Sequence, residues 1–298
     1  LRDIVINHYL GVGATSDAWN SAFQFPNLFR RVFGEGAFNA AFVPQYSSKL
    51  HDGEEQAFAY GSRVIVLLSL ILAGILLVCL IFTGPIMKLF NWGYDEETLA
   101  LTVSLARITM SYLFFVCLLA SFSGILNSHK HFFAPAFSYA FLNVALLSGL
   151  FVVIPIVGNP TTVLAWSLLV AGALQLLVVV IPAYRLGLRI RFKIPKFDSD
   201  MKKLGLLMLP GLLSAGIQQL NLFVGAWVVS FQVGGKTIIY NADRINQLPL
   251  GLIGIAFGVV LLPEVTQKLR ANKMDEARGS IQSGMTQAMF LTLPAMIG

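Results

Sequence analysis

Two adjacent arginines, Arg30 and Arg31, stand in "NLFRRVFGEGAFNAAFVP" (27–44), with Glu35 close by, in a stretch otherwise rich in Phe, Val, Ala, Leu and Gly. Arg2 beside Asp3, and Arg244 beside Asp243 in "YNADRINQLP", occupy similar settings. A guanidinium carries a permanent charge and a planar fork of donors that fits carboxylate or phosphate bidentately. Several such groups lining one water-filled cavity describe a phosphate or pyrophosphate site. Arg31 and Glu35 are spaced i,i+4 and can pair along one helix face, so a structural salt bridge accounts for them equally well. Arg30 lies on another face with Asn27 and Gly34, and has no acidic residue three or four places away. Adjacent residues on a helix do not face each other. Arg2 and Arg244 are therefore expected to lack a local partner in Asp3 and Asp243.

The elements that hold these arginines must cross a membrane. The chain is 56% apolar and 12% charged over 298 residues, about half the charge of a soluble domain. The runs Val64–Met87, Ile108–Ser128, Leu204–Gly235 and Ile245–Pro263 contain no Asp, Glu, Lys or Arg. Phe132–Tyr184 has none either, and is long enough for two spans split at "PIVGNP" (Pro155–Pro160). A spanning helix needs about 20 such residues, and lipid leaves the backbone few alternatives to a helix. The fold class is an all-α polytopic membrane protein, with roughly seven complete helices at that length. Both ends read as cut, with a partial helix at each. No signal peptide is visible, and Cys79 and Cys117 read as packing residues.

Cations alternate between rich and poor loops. Lys49 and Arg63 follow the second helix, Lys130 lies in "NSHKHFF", and seven cations lie in "YRLGLRIRFKIPKFDSDMKK" (184–203). The intervening loops are poor, so the 184–203 segment is assigned to the cytoplasm. The net charge of +6 follows from that topology. A nucleic-acid partner would need a basic patch interleaved with exposed aromatics, which is lacking.

"SDAWNSAFQFPNLFRRVFGEGAFNAAFVP" (16–44) reads as one helix, with "TSD" (15–17) offering capping side chains and Pro44 marking its far end. Arg30 and Arg31 then fall near the bilayer midplane, where each Arg costs about 2.5–3.5 kcal/mol on insertion scales and usually faces a polar interior. Pro26, Gly34 and Gly36 make this helix bendable. "VPQYSSKLHDGEEQA" (43–57) and "LPEVTQKLRANKMDEA" (262–277) share a design, with Lys-Leu at one offset after Pro44 and Pro263. Both copies end on the assigned cytoplasmic side, which makes this a parallel repeat of the kind that transporters use to build a site between two bundles.

"RDIVINHYLGVGATSDAWNSAFQFPNLFRRVFGEGAFNAAFVP" closely resembles the signature of the MurJ/MviN family of lipid II flippases, and "YNADRINQLPLGLIGIAFGVVLLP" resembles that family's eighth helix. The family belongs to the multidrug/oligosaccharidyl-lipid/polysaccharide exporter superfamily, with fourteen helices in two six-helix lobes plus a final pair. The resemblance implies an N-terminal lobe over 1–187, a basic cytoplasmic linker over 188–203 and the start of a C-terminal lobe over 204–298. It implies a transporter, not an enzyme, that carries lipid II, the polyprenyl-diphosphate-linked peptidoglycan precursor, across the bacterial plasma membrane. By motif, Arg2, Arg30 and Arg244 match cavity arginines implicated in holding the pyrophosphate. Asp3 and Glu35 match acidic residues associated with closing the cytoplasmic side, and Asp17, Arg31 and Asp243 are supporting positions. Many relatives have Glu where this chain has Gln247, which puts a charge role there in doubt. No cofactor, metal or covalent chemistry is implied. Coupling to a cation or to the membrane potential fits such transport, since one charge moved through 100 mV is worth about 2.3 kcal/mol. Membrane lipids and cell-wall synthesis proteins are the candidate partners beside the precursor.

Two rivals remain at this stage. A drug or other oligosaccharide-lipid exporter of the same superfamily is the nearer, although a cation-coupled drug exporter would be expected to rely on acidic cavity residues. An intramembrane polyprenyl-phosphate enzyme would want clustered Asp or His at a membrane face. "HKH" (129–131) reads instead as an interfacial basic loop, and "GVGATS" (11–16), which lacks the phosphate-loop Lys, as a turn between helices.

Overall fold

In the computed structural model, residues 2–31, 37–190, 198–249, 261, 265, 268 and 273–297 are described. They form α1 (Arg2–Leu10), α2 (Ala14–Phe29), α3 (Ala37–Asp52), α4 (Glu54–Ile81), α5 (Thr83–Phe90), α6 (Glu96–Ser128) and α7 (Phe133–Ser148). After a π-type turn at Gly149–Val153 come α8 (Ile154–Val157), α9 (Pro160–Arg185), α10 (Ser199–Val229), α11 (Gly235–Pro249) and α12 (Met274–Ile297). No strand occurs among the described residues. Among the described residues, four stretches, Glu54–Ile81, Glu96–Ser128, Phe133–Val157 and Pro160–Arg185, are long and apolar enough to cross a membrane. The expected break falls where "PIVGNP" placed it. α8 ends on Gly158, whose φ of +75° closes the turn, and Asn159 caps α9 by accepting the Thr162 N–H at 3.2 Å. Pro160 fills the first helical position, where its missing N–H costs nothing.

The chain divides into two compact units, Leu1–Thr237 and Ile238–Gly298. In the first, α6 is the central helix. Asp95 caps it by accepting from the Thr98 N–H and hydroxyl at 3.3 and 2.6 Å, and Glu96 and Glu97 favour the positive end of its dipole. Buried Leu105, Met110, Leu113, Val116, Leu119 and Ile125 project from it into the core. α9 approaches closely at Gly172, where a Cβ would come within 2.7 Å of the Tyr112 ring. Cys79 and Cys117 are buried free thiols, in keeping with a packing role.

The second helix corrects one expectation. Pro44 does not end it: α3 runs through Pro44 to Asp52, and Gly53, with φ of +147°, marks the stop. Proline removes its own donor without forbidding helix on its far side. Here Phe38, Phe42 and Tyr46, fully buried and in successive ring contact along one face at 5.1 and 5.5 Å, hold the helix down on both sides of it. Phe42 also stacks on Tyr60 of α4 at 6.0 Å. Lys49 and Arg63 accordingly sit on helices, in α3 and α4, and not in a loop. Nor is the segment one regular helix, because after α2 the backbone widens into a π-type turn at Arg30 and Arg31. Glu35 lies outside the described residues, as does most of the repeat copy at 262–277.

Candidate functional site

In the first unit, Arg2 and Arg30 both act electrostatically on one buried side chain, Tyr112. Arg30 begins the wide turn after Pro26, its N–H reaching the carbonyls of Pro26 and Asn27. Its Nε donates to Asn27 Oδ1 at 2.8 Å, so the face shared with Asn27 is used as the i,i+3 spacing suggests. Arg2, at the start of α1, donates from Nη1 to Asn143 Oδ1 of α7 at 3.4 Å. Tyr112 of α6 is 1% exposed and within electrostatic reach of both guanidiniums and of Tyr139. Its hydroxyl donates to Gln175 Oε1 of α9 at 3.2 Å, a contact that the closeness at Gly172 permits. Arg31 is half-buried at the same turn, and its expected partner Glu35 is not among the described residues.

The expectation that Arg2 does not pair with its neighbour is overturned, and Arg244 has local partners that were not anticipated. Arg2 does pair with Asp3: Nε and Nη2 both donate to Asp3 Oδ1, at 3.0 and 2.8 Å. Arg244, in the second unit, is also supplied locally. Its Nη2 donates to the Tyr240 hydroxyl at 2.8 Å and the guanidinium stands 5.0 Å from the Tyr240 ring centre. Gln247 joins the neighbours that helix geometry separates, accepting from Arg244 at 3.5 Å and donating to Asp243 Oδ2 at 2.5 Å. Gln247 thus serves as a neutral bridge between a cation and a carboxylate.

Asp17 was expected to offer a cap to α2, but that role falls to Ser16, which accepts the Gly13 N–H at 3.1 Å. Asp17 is 1% exposed and turned to the far end of α10. Its Oδ2 accepts the Gly234 N–H at 2.7 Å, and its Oδ1 accepts the Thr237 N–H and hydroxyl at 2.8 and 2.6 Å. Around it, Lys236 Nζ donates to Asn91 Oδ1 at 2.7 Å, Ser21 donates to the same oxygen at 2.9 Å, and Asn20 donates to the Thr237 hydroxyl at 3.1 Å. A carboxylate accepting three bonds beside a buried ammonium is compensated in the way an isolated buried charge is not. The cluster fastens the start of α2, the α5–α6 turn and the α10–α11 turn together. Nothing local in the sequence announces it, since the partners of Asp17 lie 217 and 220 residues away.

The α5–α6 turn must approach very closely for this. Gly93 donates its N–H to Ser230 Oγ at 3.0 Å, and a Cβ on it would meet the Phe231 backbone at 2.6 Å. Gly93→Ala is expected to destabilise the protein by about 1–3 kcal/mol through overpacking, seen as a lower midpoint of thermal unfolding in detergent. An unchanged midpoint would contradict the close approach.

The comparisons with known proteins agree with one another. A family model described as "Lipid II flippase MurJ" matches residues 6–298. A protein of Rhizobium tropici named probable lipid II flippase MurJ is 39% identical over 306 residues, covering 99% of this chain and 57% of its own length. One of the same name from Rickettsia prowazekii (strain Madrid E) is 37% identical over 303 residues, covering 100% and 59%. The chain therefore spans somewhat more than half the length of these curated relatives. Among solved structures, a lipid II flippase MurJ in an inward closed conformation superposes with a TM-score of 0.83 at 29% identity, covering 99% of this chain and 61% of that one. An inward-facing multidrug resistance MATE transporter superposes with a TM-score of 0.74 at 15% identity, a likeness of fold alone. An all-helical, multi-pass membrane chain matched by the family model from residue 6 to its last residue belongs to the lipid II flippase MurJ family.

Proposed function

We propose that the protein of which this chain is part moves lipid II from the inner to the outer leaflet of the bacterial plasma membrane by alternating access, with Arg2, Arg30 and Arg244 holding the precursor's diphosphate. The observation that supports the reading is that buried Tyr112 lies within electrostatic reach of both Arg2 and Arg30, in a chain of this family. Guanidiniums at membrane depth are expensive and mark substrate pathways, and a diphosphate supplies the charge and the bidentate acceptors that they fit. Asn27 and Asn143 accept from Arg30 and Arg2 and help to orient the two guanidiniums, and Asp3, 31% exposed in its side chain, is a partner that water or an incoming anion can reach.

In this reading residues 1–187 form the N-terminal lobe, 188–203 the cytoplasmic linker and 204–298 the beginning of the C-terminal lobe. The headgroup enters between lobes from the cytoplasm while the polyprenyl tail stays in lipid. Asp3, Arg31, Glu35 and Asp243 support or gate the site, and Asp17 serves the opposite, outer closure. A cation gradient or the membrane potential supplies the drive. The test is genetic: the full-length gene should restore growth to a bacterium depleted of its own lipid II flippase. Correct membrane insertion without rescue would contradict the assignment.

A further inference from the structure

α10 rests on the first unit at its two ends. Near its start, Met201 and Leu204 are buried in the core. Near its end, Phe223 lies 4.3 Å from Phe90, ring centre to ring centre, and Ser230 bonds to Gly93. Between them Leu206, Leu209, Leu213 and Ile217 are exposed. The two attachments differ in chemistry. The outer one is the buried cluster around Asp17, whereas the inner one is made of charges that water reaches.

At the inner end, Asp198 does two jobs. Its Oδ1 accepts the Met201 N–H at 3.1 Å and so caps α10, while its Oδ2 is paired directly with Arg63 Nη1 of α4. Asp200, in the first turn, joins both partner helices, with its Oδ2 3.1 Å from Lys49 Nζ of α3 and 3.9 Å from Arg63 Nη2. The four side chains are 29–38% exposed. Under them lies Tyr60, buried, whose hydroxyl finds no hydrogen-bond partner and is in electrostatic reach of Asp198, Asp200 and Arg63.

We infer that Lys49, Arg63, Asp198 and Asp200 form a releasable charge clamp that docks the inner end of α10 on the α3–α4 pair, and that undocking there is how this helix moves during transport. The role in transport rests on the proposed function, whereas the clamp itself does not. Exposed ion pairs are each worth about 0–1 kcal/mol and weaken with salt, so a small network holds the end without fixing it. An apolar contact of the same extent would grip harder and would be insensitive to ions. Among the described residues, Met201 and Leu204 back the clamp from the core at this end, with Met208 partly buried one turn further on. The cap is independent of the clamp, because Asp198 caps through one oxygen and pairs through the other, and so α10 keeps its start when released. The Met201 N–H, followed by the Arg63 charge, holds the Asp198 carboxyl below its ordinary value. A lowered carboxyl contributes its stabilisation above the unfolded value and loses it as pH falls through the folded one. The Asp198–Arg63 pair should therefore hold at neutral pH and be lost as pH falls through the lowered Asp198 value.

The test is a distance measurement by electron paramagnetic resonance on the full-length protein in detergent without precursor, with spin labels on cysteines placed at the exposed positions Ser48 and Lys203. Raising salt from about 0.05 M to about 1 M shortens the screening length severalfold, and should shift the docked-to-undocked ratio about fivefold toward the longer distance, given pairs of this strength. Arg63→Glu should do the same at low salt. Lys49→Asp combined with Asp200→Lys should restore docking relative to either change alone. A distance distribution insensitive to salt overturns the clamp whether or not the variants fold. A clamp that releases as predicted in a protein that fails the growth rescue would leave this inference standing and sink the flippase assignment instead.

Discussion

Arg30→Ala in the full-length protein is expected to abolish precursor translocation while leaving membrane insertion intact. Removing one partner of a desolvated, hydrogen-bonded charge pair costs about 2–5 kcal/mol, which is roughly thirtyfold to several-thousandfold in affinity. Insertion should not suffer, because an Arg at membrane depth opposes it. Arg30→Lys separates charge from geometry, since the ammonium keeps the charge and loses the planar fork. It should retain part of the activity, and Asn27→Ala should weaken transport less than either by freeing the Arg30 Nε that Asn27 now orients. Translocation measured on vesicles holding equal amounts of inserted protein checks all three. Normal flipping by Arg30→Ala would contradict the role given to this residue.

Asp17→Ala should be the most damaging change to stability. It strips the acceptors from the Gly234 and Thr237 N–H groups and from the Thr237 hydroxyl, and leaves the Lys236 ammonium buried without its compensating charge. Breaking a buried pair in this way costs about 3–5 kcal/mol. Asp17→Asn keeps one oxygen of two and should fall between. Thermal unfolding of the full-length protein in detergent should rank the variants as wild type, Asn, then Ala. Equal midpoints would show that Asp17 is not the buried acceptor described. Because α10 is fastened here at its C-terminal end, both variants should also loosen the α10–α11 turn, read as faster hydrogen exchange at the Gly234 and Thr237 amides.

Sequence reasoning found what depends on local spacing and missed what depends on packing. The membrane class, the break at Pro155–Pro160 and the Arg30–Asn27 face all follow from composition or from helical repeats that span a few residues. The contact of Arg2 with Asn143 joins residues 141 apart, and no periodicity relates them. Asp17 was noticed as a capping residue because it stands near a helix start, yet its burial is decided by a turn more than two hundred residues later. Pro44 misled for the opposite reason: a strong local signal was outweighed by the Phe38–Phe42–Tyr46 stack packed on either side of it. Tyr240 could have been found as the partner of Arg244, since i,i+4 neighbours share a face. An aromatic hydroxyl at that spacing can satisfy a guanidinium as an acidic residue does.

The central claim is that guanidiniums at membrane depth are retained for a diphosphate. Its most direct test is equilibrium binding of the polyprenyl-diphosphate-linked precursor, and of the same headgroup and tail joined by a monophosphate, to the full-length protein and to its Arg30→Ala and Arg244→Ala variants. The wild type should prefer the diphosphate by tenfold or more, on the order of 1.4 kcal/mol, and each variant should lose most of that preference while binding the monophosphate almost as before. A preference that survives both substitutions would contradict the account.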